Sequence, residues 1–164
     1  MDDERWLRRA FELAEGAADE GDGPFGAVLV GPDDRKLLES NNTVDRFHER
    51  LGHAELNVLI DAGRRWSLKE LAACTLYSST EPCPMCSGAT AWSVNRLVFG
   101  LSQRRMYELF AVGWEIPRFG TPWDSRSLFD TVVPPMAVIG PLLETEAVRA
   151  HEKWLARWTA RKAD

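Results

Sequence analysis

At roughly 100–200 residues per domain, the 164-residue chain has room for one compact domain, residues 1–164, and its 45% hydrophobic and 27% charged residues suit a packed core, not a disordered segment. Twenty Lys and Arg against 25 Asp and Glu leave a formal net charge of −5, which argues against a broad nucleic-acid face and suits a small neutral or cationic substrate. No run approaches ~18 consecutive apolar residues, and the acidic start Met1-Asp2-Asp3-Glu4 is unlike a signal peptide, so a cytoplasmic protein with no membrane segment is expected.

From Asp2 to about Ala18, Trp6, Leu7, Ala10, Phe11, Ala14 and Ala17 recur at steps of three or four, which predicts an amphipathic helix with Asp2 or Asp3 to cap it. Gly21-Asp22-Gly23-Pro24 breaks it, and Phe25 to Val30 reads as a buried strand with a hairpin partner at Lys36 to Ser40. Asn41 to Gly52 is polar and aperiodic, a loop. His53 to Gly63 reads as a mostly buried helix that ends at the glycine. Cys74 to Ser78 is a strand, Cys83 to about Ser93 a helix with Pro82 at its first turn, Asn95 to Leu101 a strand, and Ser102 to Val112 a helix. Gly113 to Pro135 holds Pro117, Gly120, Pro122 and four aromatics, too long for an ordinary connection and so expected to be a lid or a partner contact. Val132 to Ile139 returns a last strand, and Glu144 to Ala160 a closing helix. Strands that alternate with helices imply an α/β sheet covered on both faces.

The chemistry lies in His53-Ala54-Glu55 and Glu81-Pro82-Cys83-Pro84-Met85-Cys86. One imidazole and two thiolates are the three protein ligands of a catalytic zinc that keeps its fourth position open. Cys83 and Cys86 fall on one face of a first helical turn, where the positive end of the helix dipole favours thiolate. Glu55, two residues past His53, points elsewhere and suits a proton carrier beside the metal better than a ligand. A C-x-x-C alone fits a redox or structural zinc site equally well, and Cys74 or His48 as a fourth ligand would close the site.

These residues give the chain a resemblance to the cytidine and deoxycytidylate deaminase superfamily, specifically its guanine and transfer-RNA adenosine deaminase branch, over about residues 5–112. The likeness rests on Pro24-Phe25-Gly26-Ala27-Val28, the Asn41-Asn42 pair, His53-Ala54-Glu55 and Ser79-Thr80-Glu81-Pro82-Cys83-Pro84-Met85-Cys86-Ser87-Gly88-Ala89. It implies a three-layer α/β/α sandwich with a mixed sheet of about five strands, a homodimer, and one Zn2+ per chain held by His53, Cys83 and Cys86 with water or hydroxide as fourth ligand. It further implies Glu55 as proton shuttle while zinc hydroxide attacks an amino-bearing ring carbon and ammonia leaves.

Asn42, 11 residues before His53, matches the family's base-contacting Asn, while a turn is its plainer reading. Trp92 matches an aromatic of bacterial guanine deaminases and is expected to sandwich a flat heterocycle with Phe25, although both also suit a core. Ala54 completes the expected substrate contacts. Gly113-Trp114-Glu115 resembles a Gly-Phe-Asp of the guanine enzymes, which makes Glu115 a second proton shuttle or else a solvated loop carboxylate. The expected activity is hydrolytic deamination of a small heterocyclic base, guanine or a related purine or triazine first, with transfer-RNA adenosine, or another base or nucleoside, as the alternative. A non-catalytic zinc-stabilised interaction module remains as a third reading.

Overall fold

The computed structural model describes residues 1–110 and 124–163. In chain order its elements are α1 (Asp3–Glu20), β1 (Gly26–Val30), β2 (Lys36–Asn41), α2 (Ala54–Arg65), α3 (Leu68–Leu71), β3 (Thr75–Thr80), α4 (Pro84–Ser93), β4 (Arg96–Leu101), α5 (Gln103–Phe110), α6 (Arg126–Phe129), β5 (Ala137–Ile139) and α7 (Glu144–Ala163). Among the described residues, no helix is long and apolar enough to cross a membrane.

The strands form one mixed sheet in the order β2-β1-β3-β4-β5. β1 runs antiparallel to β2 and β3, whereas β3, β4 and β5 run parallel. Alternation along the central strands divides the core in two. Val28, Val30, Tyr77 and Val98 face a cluster with Trp6, Leu7, Phe11, Phe110 and Trp154 from α1, α5 and α7. Ala27, Leu29, Leu76, Leu97 and Phe99 face the other way, onto Val58 and Leu59 of α2, Leu71 of α3 and Phe129 of α6. This is the expected three-layer α/β/α sandwich.

Local chemistry explains most of the boundaries. The Asp2 carboxylate accepts from Arg5 N at 3.1 Å and caps α1, and Gly21 closes that helix with a left-handed backbone at φ 94°. Gly26 opens β1 where α1 crosses it, and a Cβ there would stand 2.3 Å from the Ala10 carbonyl oxygen. No side chain fits at that crossing. Gly63 does not end α2, which runs on to Arg65: the glycine is exposed with nothing within 4 Å, and the Arg65–Asp61 ion pair one turn apart supports the last turn. The short helices α3 and α6 carry too few residues to leave a period in the sequence. Of the expected lid or partner segment, 124–135 is described and contributes α6, while 111–123 lies outside the described residues.

His151 on α7 is wholly buried. Its Nε2 lies 3.4 Å from Thr80 Oγ1, and its ring meets Phe25 edge-on at 5.4 Å. Burial pushes its pKa down to about 4 from the ordinary 6.5. Between those two values the unfolded chain binds a proton that the native state refuses, so stability is full above about pH 6.5 and declines as pH falls toward 4. The loss amounts to about 3 kcal/mol at the acid end. Melting temperatures measured from pH 7 to pH 5 are expected to fall less steeply for His151→Leu than for the wild type, and parallel slopes would contradict this assignment.

Candidate active site

Two helix starts and one strand end meet at the site. His53 is the N-cap residue of α2, in extended backbone with no side-chain cap bond, so its imidazole is free to turn toward α4. Cys83 occupies the same position on α4 with Pro84 behind it, and Cys86 lies within the first turn. His53 Nδ1 stands 3.7 Å from Cys83 Sγ and 3.5 Å from Cys86 Sγ, and the three ligand atoms all lie within 4.8 Å of one another. Tetrahedral zinc, with Zn–S about 2.3 Å and Zn–N about 2.0–2.1 Å, sets S and N about 3.5 Å apart, so the donors fit the ion.

The electrostatics point the same way. Hydrogen bonds from the Cys86 thiol and from His53 draw Cys83 down to about 4, and the Cys83 thiolate in turn raises His53. The adjacent Cys83 and burial push Cys86 upward. Two thiols at this spacing cannot both lose a proton unless a cation joins them.

Glu55 is buried at 6% exposure beside this triangle, and desolvation, followed by the Cys83 thiolate, raises its pKa. Ser78 Oγ lies 3.0 Å from Glu55 Oε1 and 2.6 Å from the Thr80 carbonyl oxygen. A hydroxyl has one proton to give. The Thr80 carbonyl and Glu55 Oε1 compete for that proton, and either way the hydroxyl fixes where Oε1 lies.

A cleft of about 1320 Å³ opens above, lined among others by Phe25, Asn42, Glu55, Glu81, Trp154 and Trp158. Asn42 N donates to Phe25 O at 2.9 Å, which pins the two residues together at the end of the β1–β2 ladder. Asn42 Oδ1 accepts from Val44 N at 3.1 Å. Asp22 Oδ1 takes the Asp45 and Arg46 N–H groups at 2.8 and 3.0 Å and holds the loop that follows.

Two expected substrate contacts, Trp92 and Ala54, are absent from the cleft lining. Trp92 is 83% exposed on α4 and does not line the cleft, so no Phe25–Trp92 sandwich forms within one chain. Cys86, Ser87 and Thr90 take the inward face of α4, and Trp92, two residues beyond Thr90, lies about 200° around the helix. Ala54 is fully buried in the core cluster with Val58 and Leu59. Glu115 lies outside the described residues. Neither fourth-ligand alternative forms among the described residues: Cys74 is a core thiol that donates to the Glu70 carbonyl at 3.4 Å, and His48 is exposed on its loop. Sequence reasoning passed over Ser78, Glu81 and Asp22 as site residues. Their signal was the polar run Ser78 to Glu81 closing an apolar strand, and an acid between two glycines.

Residues 1–101 match the family model of the cytidine and deoxycytidylate deaminase zinc-binding region. The chain is 37% identical over 150 residues to a probable cytosine deaminase of Schizosaccharomyces pombe, across 90% of this chain and 88% of that protein. It is 40% identical over 100 residues to guanine deaminase of Bacillus subtilis, across 60% and 64% respectively. The solved structure of guanine deaminase from Nitrosomonas europaea matches with a TM-score of 0.73 at 26% identity, over 92% of this chain and 83% of that one.

The fold and the donor set are those of a zinc-dependent deaminase acting on a nucleobase or nucleoside. The chain belongs to the cytidine and deoxycytidylate deaminase family. Cys83→Ala is expected to lose zinc and stability together, because metal affinity is coupled to folding. Metal analysis that still finds one zinc per chain in the variant would remove Cys83 from the ligand set.

Proposed function

We propose that the protein deaminates a free nucleobase hydrolytically, with Glu55 as its proton carrier. The observation that carries this reading is the burial of Glu55 against the His53, Cys83 and Cys86 donors, at the floor of a cleft with aromatic walls. Held by His53, Cys83 and Cys86, zinc would supply a water of lowered pKa. Ser78 fixes Glu55 Oε1, and Oε2 takes a proton from the attacking water and passes it to the departing amino group. Asn42 Nδ2 donates to an acceptor on the base, and Phe25 covers one ring face.

Cytosine is the base supported first. The likeness to the S. pombe cytosine deaminase covers 90% of the chain, against 60% for the B. subtilis guanine deaminase. Guanine is the second reading, supported by the 40% identity to the B. subtilis enzyme and the fold likeness to that of N. europaea.

Ammonia release by the zinc-loaded protein from cytosine, cytidine, guanine, guanosine, adenine and a transfer-RNA anticodon stem-loop tests these readings. Release from cytosine is expected, and Glu55→Gln should lose about 10²–10⁴-fold in kcat while keeping its zinc. Activity that survives in the variant, or release from the stem-loop alone, would overturn the proposal.

A homodimer completes the reading. Trp92, 83% exposed on α4, and Ile60, 53% exposed on the neighbouring α2, offer apolar surface that a second copy would bury. Light scattering on a sizing column should give a dimer for the wild type and a monomer for Trp92→Glu. A wild-type monomer would refute the assignment.

A further inference from the structure

Among the described residues, Asp45, Glu55 and Glu81 line the cleft with carboxyl groups, and Glu81 is held by donors on both of its oxygens. Glu81 is 7% exposed, and both its oxygens face donors. Oε1 accepts from Ser125 N at 2.9 Å and from Ser125 Oγ at 2.7 Å, and Oε2 accepts from Gln103 N at 2.9 Å. Its backbone is held as firmly. The Glu81 carbonyl accepts from Gln103 Nε2 at 2.7 Å, and the Glu81 N–H donates to Leu101 O at 2.7 Å. Glu81 therefore ties the end of β3 to the end of β4, to the first residue of α5 and to the start of α6.

Cys83 follows two residues later. Beyond Glu81 the turn is locked from the other side: Ser87 Oγ donates to Pro82 O at 3.0 Å, and Ser87 N donates to Cys83 O at 2.8 Å. Pro82 itself has no N–H and a restricted φ. The turn from Glu81 to Cys83 is thus clamped at both ends, and its upstream clamp is one carboxylate bonded to residues 22 and 44 positions away. Bonds to an ionised acceptor are stronger than neutral ones. An amide cannot replace this carboxylate, because its NH2 would face at least one backbone N–H.

We propose that Glu81 is a positioning residue that sets where Cys83 stands relative to His53 and Cys86, and through it the geometry of the metal site. The proposal rests on those three residues being the metal ligands. It assigns Glu81 no proton transfer, only the holding of three fixed donors on Gln103 and Ser125.

The test uses the full chain loaded with cobalt(II), with thiolate-to-metal charge-transfer and d–d absorption bands read in the absence of substrate. Glu81→Gln is expected to take up one cobalt per chain with displaced or weakened bands. On the zinc form, kcat for the best substrate should fall on the order of tenfold to a hundredfold with KM moved much less, as misplacement of reacting groups predicts. Ser125→Ala, which removes one hydroxyl and keeps the backbone donor, should shift the bands in the same direction by less. It stands in if Glu81→Gln fails to fold. A lower melting temperature with unchanged bands and unchanged kcat would reduce Glu81 to a general structural role and overturn the proposal. A wild-type chain that bound no cobalt would overturn the ligand assignment and this inference with it, whereas identical spectra in metal-loaded wild type and variants would sink this inference alone.

Discussion

Two thiols, an imidazole and a carboxyl group gathered inside a protein cannot all carry the charges they would have in water. Burial raises Glu55, the Cys83 thiolate raises both Glu55 and Cys86, and His53 is drawn toward its protonated form by that same thiolate. A divalent cation reconciles the set, because it accepts both sulfurs as thiolates and the imidazole as a neutral donor. The carboxyl group alone then remains to exchange protons. Its separation from the ligands follows from sequence spacing, since His53 stands at the N-cap and Glu55 lies within the first turn of α2, on a different face.

The rest of the fold holds that cluster in register. Parallel β3 and β4 sit at the middle of the sheet, so β3 delivers the turn to α4 at a fixed height, and the start of α2 is brought against it by packing on the same face. Ser78, Glu81 and Ser87 then fix the peptide path through the turn by bonds to the neighbouring strand end, to α5 and to α6. The walls of the cleft are built by different parts. Phe25 and Asn42 come from the β1–β2 end of the sheet, and Trp154 and Trp158 from α7.

What the sequence disclosed, and what it hid, follows from the range of the interactions. His53, Glu55, Cys83 and Cys86 could be read because each pair is close in sequence and a helix's geometry fixes which face it shares. The amphipathic helices and the alternating strands were legible for the same reason. Glu81 lies inside the Glu-Pro-Cys motif yet shows no task in the sequence, because its partners Gln103 and Ser125 are far along the chain. Trp92 misled because an aromatic in an apolar helix reads as inward-facing, and its exposure depends on which residues of α4 the sheet claims. Gly63 misled because a glycine stops a helix only where the backbone needs its freedom, and here nothing opposed continuation.

The two walls of the cleft are secured by different kinds of force. The floor is held by buried hydrogen bonds among Glu81, Gln103, Ser125 and Ser78. The wall formed by α7 rests on α1 through apolar contacts and through ion pairs at its accessible edge, Arg8 with Glu146 and both Lys153 and Arg157 with Asp19. Dissolved salt screens accessible pairs and leaves buried ones nearly untouched. Ionic strength therefore acts on how firmly the mouth of the site is held and spares its metal centre, so that one molecule carries a rigid reaction floor beneath a rim that answers to its solvent.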